Sequence, residues 1–312
     1  MLLKVYLQKI KHLKISKLNF MKKIVFLFLF IFSMVIGSFA QGFVKEKQVI
    51  KSAILNKEVH YSIFLPSDYY TSERAYPVTY LLHGYGDADD GWIQFGEINR
   101  LADDAIKTGK IPPMIIVTPD GFTSFYINAA DGNLNYEDFF IKELIPHIEK
   151  TFKVKAEKRF RAIAGLSMGG YGSLLYALKY PTLFAAAAPL SAAVWTDNDV
   201  MTMRDDMFTT LFGSSMGKNL KGKDRLTPAW LANSPLGIIE KKTKEELSAV
   251  KYWIDCGDDD FLTIGNAQLH IALTTKNVPH EFRMRDGAHN WTYWRTGIID
   301  ALSFIGESFH QK

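Results

Sequence analysis

The 312 residues include a single cysteine, Cys256. No internal disulfide can form, and no metal cluster can be built from thiolates. The first forty residues contain no acid, although they hold seven Lys/Arg. The formal charge of +4 therefore comes from this leader, since beyond residue 40 there are 30 basic residues against 33 acidic ones. A slightly acidic remainder argues against a nucleic-acid partner. Internal repeats and low-complexity linkers are also missing, and the length allows one large domain or two small ones.

One long apolar run is present. IVFLFLFIFSMVIGSFA, residues 24–40, follows Met21-Lys22-Lys23. A basic start, an apolar middle and a small-x-small end at Ser38-Phe39-Ala40 form the pattern of a cleavable secretory signal. A membrane anchor is the competing reading, because the run is near the lower spanning limit. The small residues at 38 and 40 favour cleavage. Residues 1–40 are thus expected to be leader and signal peptide, with 1–20 an upstream start or an extended basic region. The mature chain is expected to be secreted or periplasmic, with no membrane of its own. No cysteine follows the leader, so a lipid anchor is not indicated.

Beyond the leader, residues 48–65 alternate in polarity and predict a hairpin turning at Asn56-Lys57. PVTYLLH (77–83) and PMIIVTP (113–119) are short apolar runs of the kind that buried parallel strands show. Helical spacing marks INRLADDAIKTGK between them, and 135–152 despite Pro146. RFRAIAGL, LFAAAAPLS, VKYWIDC and HEFRMR read as further strands. GSLLYALKY, AQLHIALTTKN and WRTGIIDALSFIGESF read as the helices between and after them. This alternation predicts an α/β fold, a mostly parallel sheet with helices on both faces. Residues 192–248 break the rhythm and predict an insertion over the sheet's C-terminal edge, where such sheets bind ligands.

Gly165-Leu166-Ser167-Met168-Gly169 fits G-x-S-x-G between a predicted strand and a predicted helix, the context that motif requires. A serine on a sharp turn needs small flanking residues. The helix that follows aims its first amides at the place where an oxyanion would form. A serine hydroxyl needs a base. His12, His60, His147, His270, His280 and His310 fall on the leader, regular elements or the tail. His289, in the loop DGAHNW before the last helix, stands where the base of such a fold belongs. The orienting acid should lie between Ser167 and His289 in sequence, on a loop after a strand. Asp258, Asp259 and Asp260 all satisfy this, and Asp255, inside the strand, is a weaker candidate. The acidic run lacks the further oxygen ligands of a calcium loop, so no metal is expected. His83-Gly84-Tyr85-Gly86-Asp87 follows an early strand and predicts the second oxyanion donor, the Tyr85 amide beside that of Met168. A phosphate loop is disfavoured there by Asp87, Asp89 and Asp90. His83 is expected to pack.

Together LLHGYGD, GLSMGGYG, DCGDDDF and GAHNWTYW resemble the Putative esterase family. That family holds feruloyl and acetyl-xylan esterases of carbohydrate esterase family one, enterobactin-type esterases, S-formylglutathione hydrolases and mycolyl transferases such as antigen 85. The resemblance spans about residues 43–310 and implies an α/β-hydrolase fold. It also implies Ser167 as nucleophile, His289 as base and Asp260 as acid, the last because the family's acid commonly ends a C-G-x-x-D pattern. The run His289, Trp291, Trp294 is similar to the H-x-W-x-x-W of bacterial feruloyl esterases and implies substrate contacts at both tryptophans. Ala288, where glycine is frequent, departs mildly, and 192–248 is the least familiar part.

The expected function is a secreted serine esterase acting on small-molecule or polysaccharide esters, without a cofactor, releasing feruloyl or acetyl groups from plant polysaccharide. A siderophore-type esterase or an acyltransferase would use the same residues. A carbohydrate-binding protein without catalysis is the alternative from another class. Trp92, Tyr126, Trp195, Trp291 and Trp294 are the candidates for stacking on a sugar or phenolic ring.

Overall fold

The computed structural model describes residues 41–310 and, before them, 1–4, 6, 11, 17 and 20–23. The apolar run of the predicted signal, 24–40, lies outside the described residues. Two compact units divide the chain, Met1–Gln41 and Gly42–Lys312. In the first, residues 2–4 and 20–23 are helical. Among the described residues no helix is long and apolar enough to cross a membrane.

The second unit is built on eight strands. They are β1 (Phe43–Ser52), β2 (Lys57–Leu65), β3 (Val78–Leu82), β4 (Ile115–Pro119), β5 (Arg161–Leu166), β6 (Ala186–Leu190), β7 (Lys251–Gly257) and β8 (His280–Arg285). Their order is β1-β2-β4-β3-β5-β6-β7-β8. β2 runs antiparallel to β1 and β4, and the remaining pairs are parallel. This is the architecture of the α/β-hydrolase fold, as expected.

The inner strands read as apolar runs because both of their faces are covered. Val78, Tyr80 and Leu82 of β3 face one core, and Leu81 faces the other. Ile163 of β5 joins the first, and Ala162, Ala164 and Leu166 the second. Helices α2 (Met168–Lys179) and α3 (Thr263–Thr275) cover the first face through residues such as Leu174, Leu178 and Leu269. Helices α1 (Ile98–Lys107) and α4 (Trp291–Phe309) cover the second through Ile98, Ala102, Ile298, Leu302 and Ile305.

Two local expectations shift. β1 begins at Phe43 rather than 48, with a break in register between Lys45 and Gln48 and a left-handed Lys47 at φ 50°. A bulge interrupts period-two alternation, and lysines suit an exposed sheet edge, so this stretch does not read as a strand. The hairpin turn occupies 53–56, and Lys57 already belongs to β2. The helix over 135–152 is present in three pieces, Tyr136–Phe139, a π turn Phe140–Leu144 and Ile145–Thr151. The wide turn sits just before Pro146, whose ring and missing N–H a regular α-turn would not accept.

The insertion 192–248 is a set of short helices, each with few internal bonds. Thr196, Thr227, Ser234 and Thr243 cap four of them with side-chain oxygens, which satisfies otherwise orphaned amides. The buried Arg225 ties the set together. Its guanidinium donates to the carbonyls of Leu220 (3.0 Å), Val200 (3.1 Å) and Met203, pairs with Asp205, and lies over the Phe208 ring.

Candidate active site

Ser167 sits between β5 and α2 at φ 56°, ψ −116°, a conformation that a non-glycine residue holds only when its surroundings impose it. Here they do. Its N–H donates to the Leu190 carbonyl at 2.9 Å, and its carbonyl accepts from Tyr171 and Ala193 at 2.9 and 3.1 Å. The flanking glycines are required by close approach. A Cβ on Gly165 would stand 2.5 Å from the Gly169 carbonyl oxygen, and one on Gly169 would stand 2.4 Å from that of Leu82.

His289 stands in the loop between β8 and α4. Its Nε2 lies 2.9 Å from Ser167 Oγ, and its Nδ1 lies 2.8 Å from Asp260 Oδ2. A carboxylate only accepts, so Nδ1 carries the proton and Nε2 keeps a lone pair for the serine hydroxyl. The other oxygen of Asp260 accepts from the Leu262 amide at 2.9 Å. Burial opposes ionisation of Asp260, yet the bonds from His289 and the Leu262 amide outweigh it and hold the carboxyl below its ordinary range. The Phe261 ring stacks obliquely on the imidazole at 4.5 Å, and Trp294 meets it edge-on at 4.9 Å.

The three aspartates left open by their positions thus separate. Asp260 is buried and reaches His289, whereas Asp258 and Asp259 are exposed. Asp258 instead accepts from the Gly287 amide at 3.0 Å, steadying the loop that carries His289. Asp258, Asp259 and Asp286 bring exposed carboxylates within 4.8 Å of one another. Asp255 is committed elsewhere, paired with Arg285 and accepting from the Tyr293 hydroxyl. The Cys256 thiol is buried, which with the nearby Asp260 charge pushes it up to about 12, so it stays protonated at neutral pH. Other histidines have structural partners or face solvent. His147 bonds the Tyr61 hydroxyl and His270 bonds His280, while His60 and His310 are exposed. His12 lies outside the described residues.

His83 is more than packing. It is buried, its Nδ1 donates to the Gly84 carbonyl and its Nε2 accepts from the Gly121 amide, both at 2.7 Å. It therefore braces two loops at the sheet edge. Two aromatics singled out in the sequence brace the same loops: Trp92 donates to the Leu82 carbonyl and Tyr126 to that of His83. Both are fully buried and do not line the cavity, so of the five stacking candidates these two pack instead.

The cavity has a volume of about 340 Å³, and Ser167, His289, Tyr85 and Met168 all line it. Trp195, Trp291 and Trp294 form part of its wall. So do Phe125, Met207, Leu211, Phe261 and Asp87, which sequence reasoning missed. Phe261 directly follows Asp260, and that adjacency was available as a signal. Phe125, held left-handed at φ 52°, and the two insertion residues had none. The Tyr85 hydroxyl also donates to the Thr210 carbonyl at 2.8 Å, joining the Gly84–Gly86 loop to the insertion. The arrangement offers an activated hydroxyl, a base with a fixed tautomer and backbone amides beside an apolar cavity. That set suits acyl transfer.

Residues 52–305 match the family described as Putative esterase. An esterase of Mycobacterium tuberculosis is 32% identical over 245 residues, covering 73% of this chain and 52% of that protein. An endo-1,4-beta-xylanase/feruloyl esterase of Xylanibacter ruminicola is 36% identical over 146 residues, covering 45% of this chain and 20% of that one. The chain thus spans about half the length, or less, of these curated relatives. A solved ferulic acid esterase superposes with a TM-score of 0.75 at 32% identity, covering 86% of this chain and 99% of that one.

Proposed function

Because the chain belongs to the Putative esterase family, we propose that it is a secreted serine carboxylic-ester hydrolase releasing feruloyl or acetyl groups from plant polysaccharide. The observation that carries the catalytic part is the hydrogen-bonded chain from Ser167 through His289 to Asp260, open to an apolar cavity. The substrate part is supported by the names of the feruloyl esterase relatives and by the aromatic wall of the cavity. Secretion is supported by the basic-apolar-small pattern of residues 21–40.

Ser167 Oγ attacks the ester carbonyl carbon while its proton passes to His289 Nε2. The Tyr85 and Met168 amides donate to the oxyanion that forms. Collapse breaks the bond to the alcohol oxygen, which takes the proton from His289 and leaves an acyl-Ser167 ester. Water then loses a proton to the same Nε2 and attacks, and the second collapse returns Ser167 and frees the acid. Asp260 keeps Nδ1 protonated and stabilises the imidazolium that appears in each half-reaction. Residues drawn from four separate chain segments share the work, and no step of this scheme calls on a cofactor.

The test compares residues 41–312 with the Ser167→Ala variant on p-nitrophenyl acetate, methyl ferulate and acetylated xylan. Loss of about 10⁴-fold or more in kcat in the variant is expected. Absent turnover by the wild type on every ester, with retained binding to xylan, would favour a carbohydrate-binding protein instead.

A further inference from the structure

Among the residues lining the cavity, Asp87 is the one that carries a carboxyl group. The catalytic scheme gives it nothing to do. Its sequence neighbours are committed: Asp89 accepts from the Ser62 hydroxyl at 2.6 Å, and Asp90 pairs with Lys47 at 3.6 Å. Asp87 instead closes the tight turn that begins at Gly84, its own N–H donating to the Gly84 carbonyl at 3.2 Å. Its half-buried carboxyl is raised above the ordinary range by burial, with His83 opposing the rise, Asp90 adding to it and the Gly84 amide opposing it. A carboxyl group can accept several hydrogen bonds, so one amide leaves capacity for a ligand.

The position of this group decides which part of a substrate it meets. A Cβ on Gly84 would stand 3.5 Å from Asp87 Oδ2 and 3.7 Å from Ser167 Cβ. Leu166 Cδ1 would stand nearer still, at 2.7 Å, so no substrate atom fits at that point. Asp87 Oδ2 and Ser167 Cβ nevertheless both lie against Gly84, which sets the carboxyl near the residue that carries the nucleophile. The phenol of a hydroxycinnamoyl group lies at the far end of a rigid conjugated chain, away from its own carbonyl. A hydroxyl on the leaving alcohol, carried by the carbon next to the ester-bearing one, lies close to it. Apolar cavities fix orientation through a few placed polar groups, and a site built to bond a hydroxyl rejects the analogue without it.

We propose, resting on the serine-esterase reading above, that Asp87 selects the leaving alcohol by accepting a hydrogen bond from a hydroxyl next to the ester-bearing carbon. The polysaccharide esters proposed above carry such a hydroxyl, and Asp87 is the residue that would tell them from esters of a simple alcohol. An alcohol lacking that hydroxyl would leave the half-buried carboxyl with the Gly84 amide alone and its remaining acceptor capacity unmet, at a cost.

The test is the ratio of kcat/KM for 1-feruloylglycerol to that for propyl ferulate, which share the acyl group and nearly share the size of the alcohol. The wild type is expected to prefer the glyceryl ester by about tenfold or more. Asp87→Leu should bring the ratio to near one, and the isosteric Asp87→Asn to a value between. A wild-type ratio near one would overturn the proposal while leaving the esterase standing. So would variants that slow both esters equally, the signature of a merely structural Asp87. Turnover of neither ester by the wild type would overturn the esterase reading and this proposal together.

Discussion

The two sides of the cavity are built by different means. Ser167, Asp260 and His289 follow strand ends and are fixed chiefly through backbone groups: the amide of Ser167 on Leu190, the amide of Leu262 on Asp260, the Gly287 amide on the Asp258 carboxylate beside His289, and glycines where carbonyls crowd in. The insertion that supplies Trp195, Met207 and Leu211 hangs on side chains, chiefly Arg225 and the Tyr85 hydroxyl. Chemistry demands one geometry, and the sheet supplies it. Substrate choice demands only a wall of suitable shape, and short capped helices supply that.

Breaking the fixed side should have the largest effect. Asp260→Asn would still accept a bond but would no longer favour protonated Nδ1, so kcat should fall about 10⁴-fold, measured on p-nitrophenyl acetate. Gly169→Ala comes next. Its methyl would collide with the Leu82 carbonyl, so the turn carrying Ser167 must shift, and a displacement of that order costs about 100-fold in kcat. A variant as active as the wild type would show that the turn is not fixed by that contact.

These contrasts also explain what the sequence revealed. Glycines at 165 and 169 are dictated by backbone approach, so G-x-S-x-G between a strand and a helix was readable, and so was the alternation that makes the sheet. His289 was readable from its loop. The acid was not, from position alone, because Asp258, Asp259 and Asp260 share one turn and differ only in which way they face. The family pattern pointed to Asp260, and it is the one within reach of His289. Phe125 was invisible because it lies in a loop without periodicity and holds a left-handed backbone that no glycine or asparagine announces. Met207 and Leu211 were invisible because an insertion of short helices carries no strong periodicity.

Breaking the insertion should cost less. Arg225→Ala strips the buried carbonyl of Val200 and the half-buried one of Met203 of their donor and should lower stability by about 2 kcal/mol. Turnover of methyl ferulate should drop more than that of p-nitrophenyl acetate, because the smaller acyl group needs less of the wall. Equal losses on both esters would mean the insertion supports the catalytic residues instead. The smallest effect is on pH dependence. Asp260 has a folded value below its unfolded one, so its contribution to stability is fully present above about pH 4–5 and fades as pH falls through the folded value. The melting-temperature gap between wild type and Asp260→Asn should therefore be wider at pH 7 than at pH 3.

The central claim, that Ser167 is an activated nucleophile, is tested most directly by covalent capture. Residues 41–312 would be mixed with a fluorophosphonate and the adduct located by peptide mass mapping. The account predicts one phosphonyl group, on the peptide carrying Ser167, absent from Ser167→Ala and formed far more slowly in His289→Ala. An unlabelled wild type, or an adduct on any other residue, would contradict it.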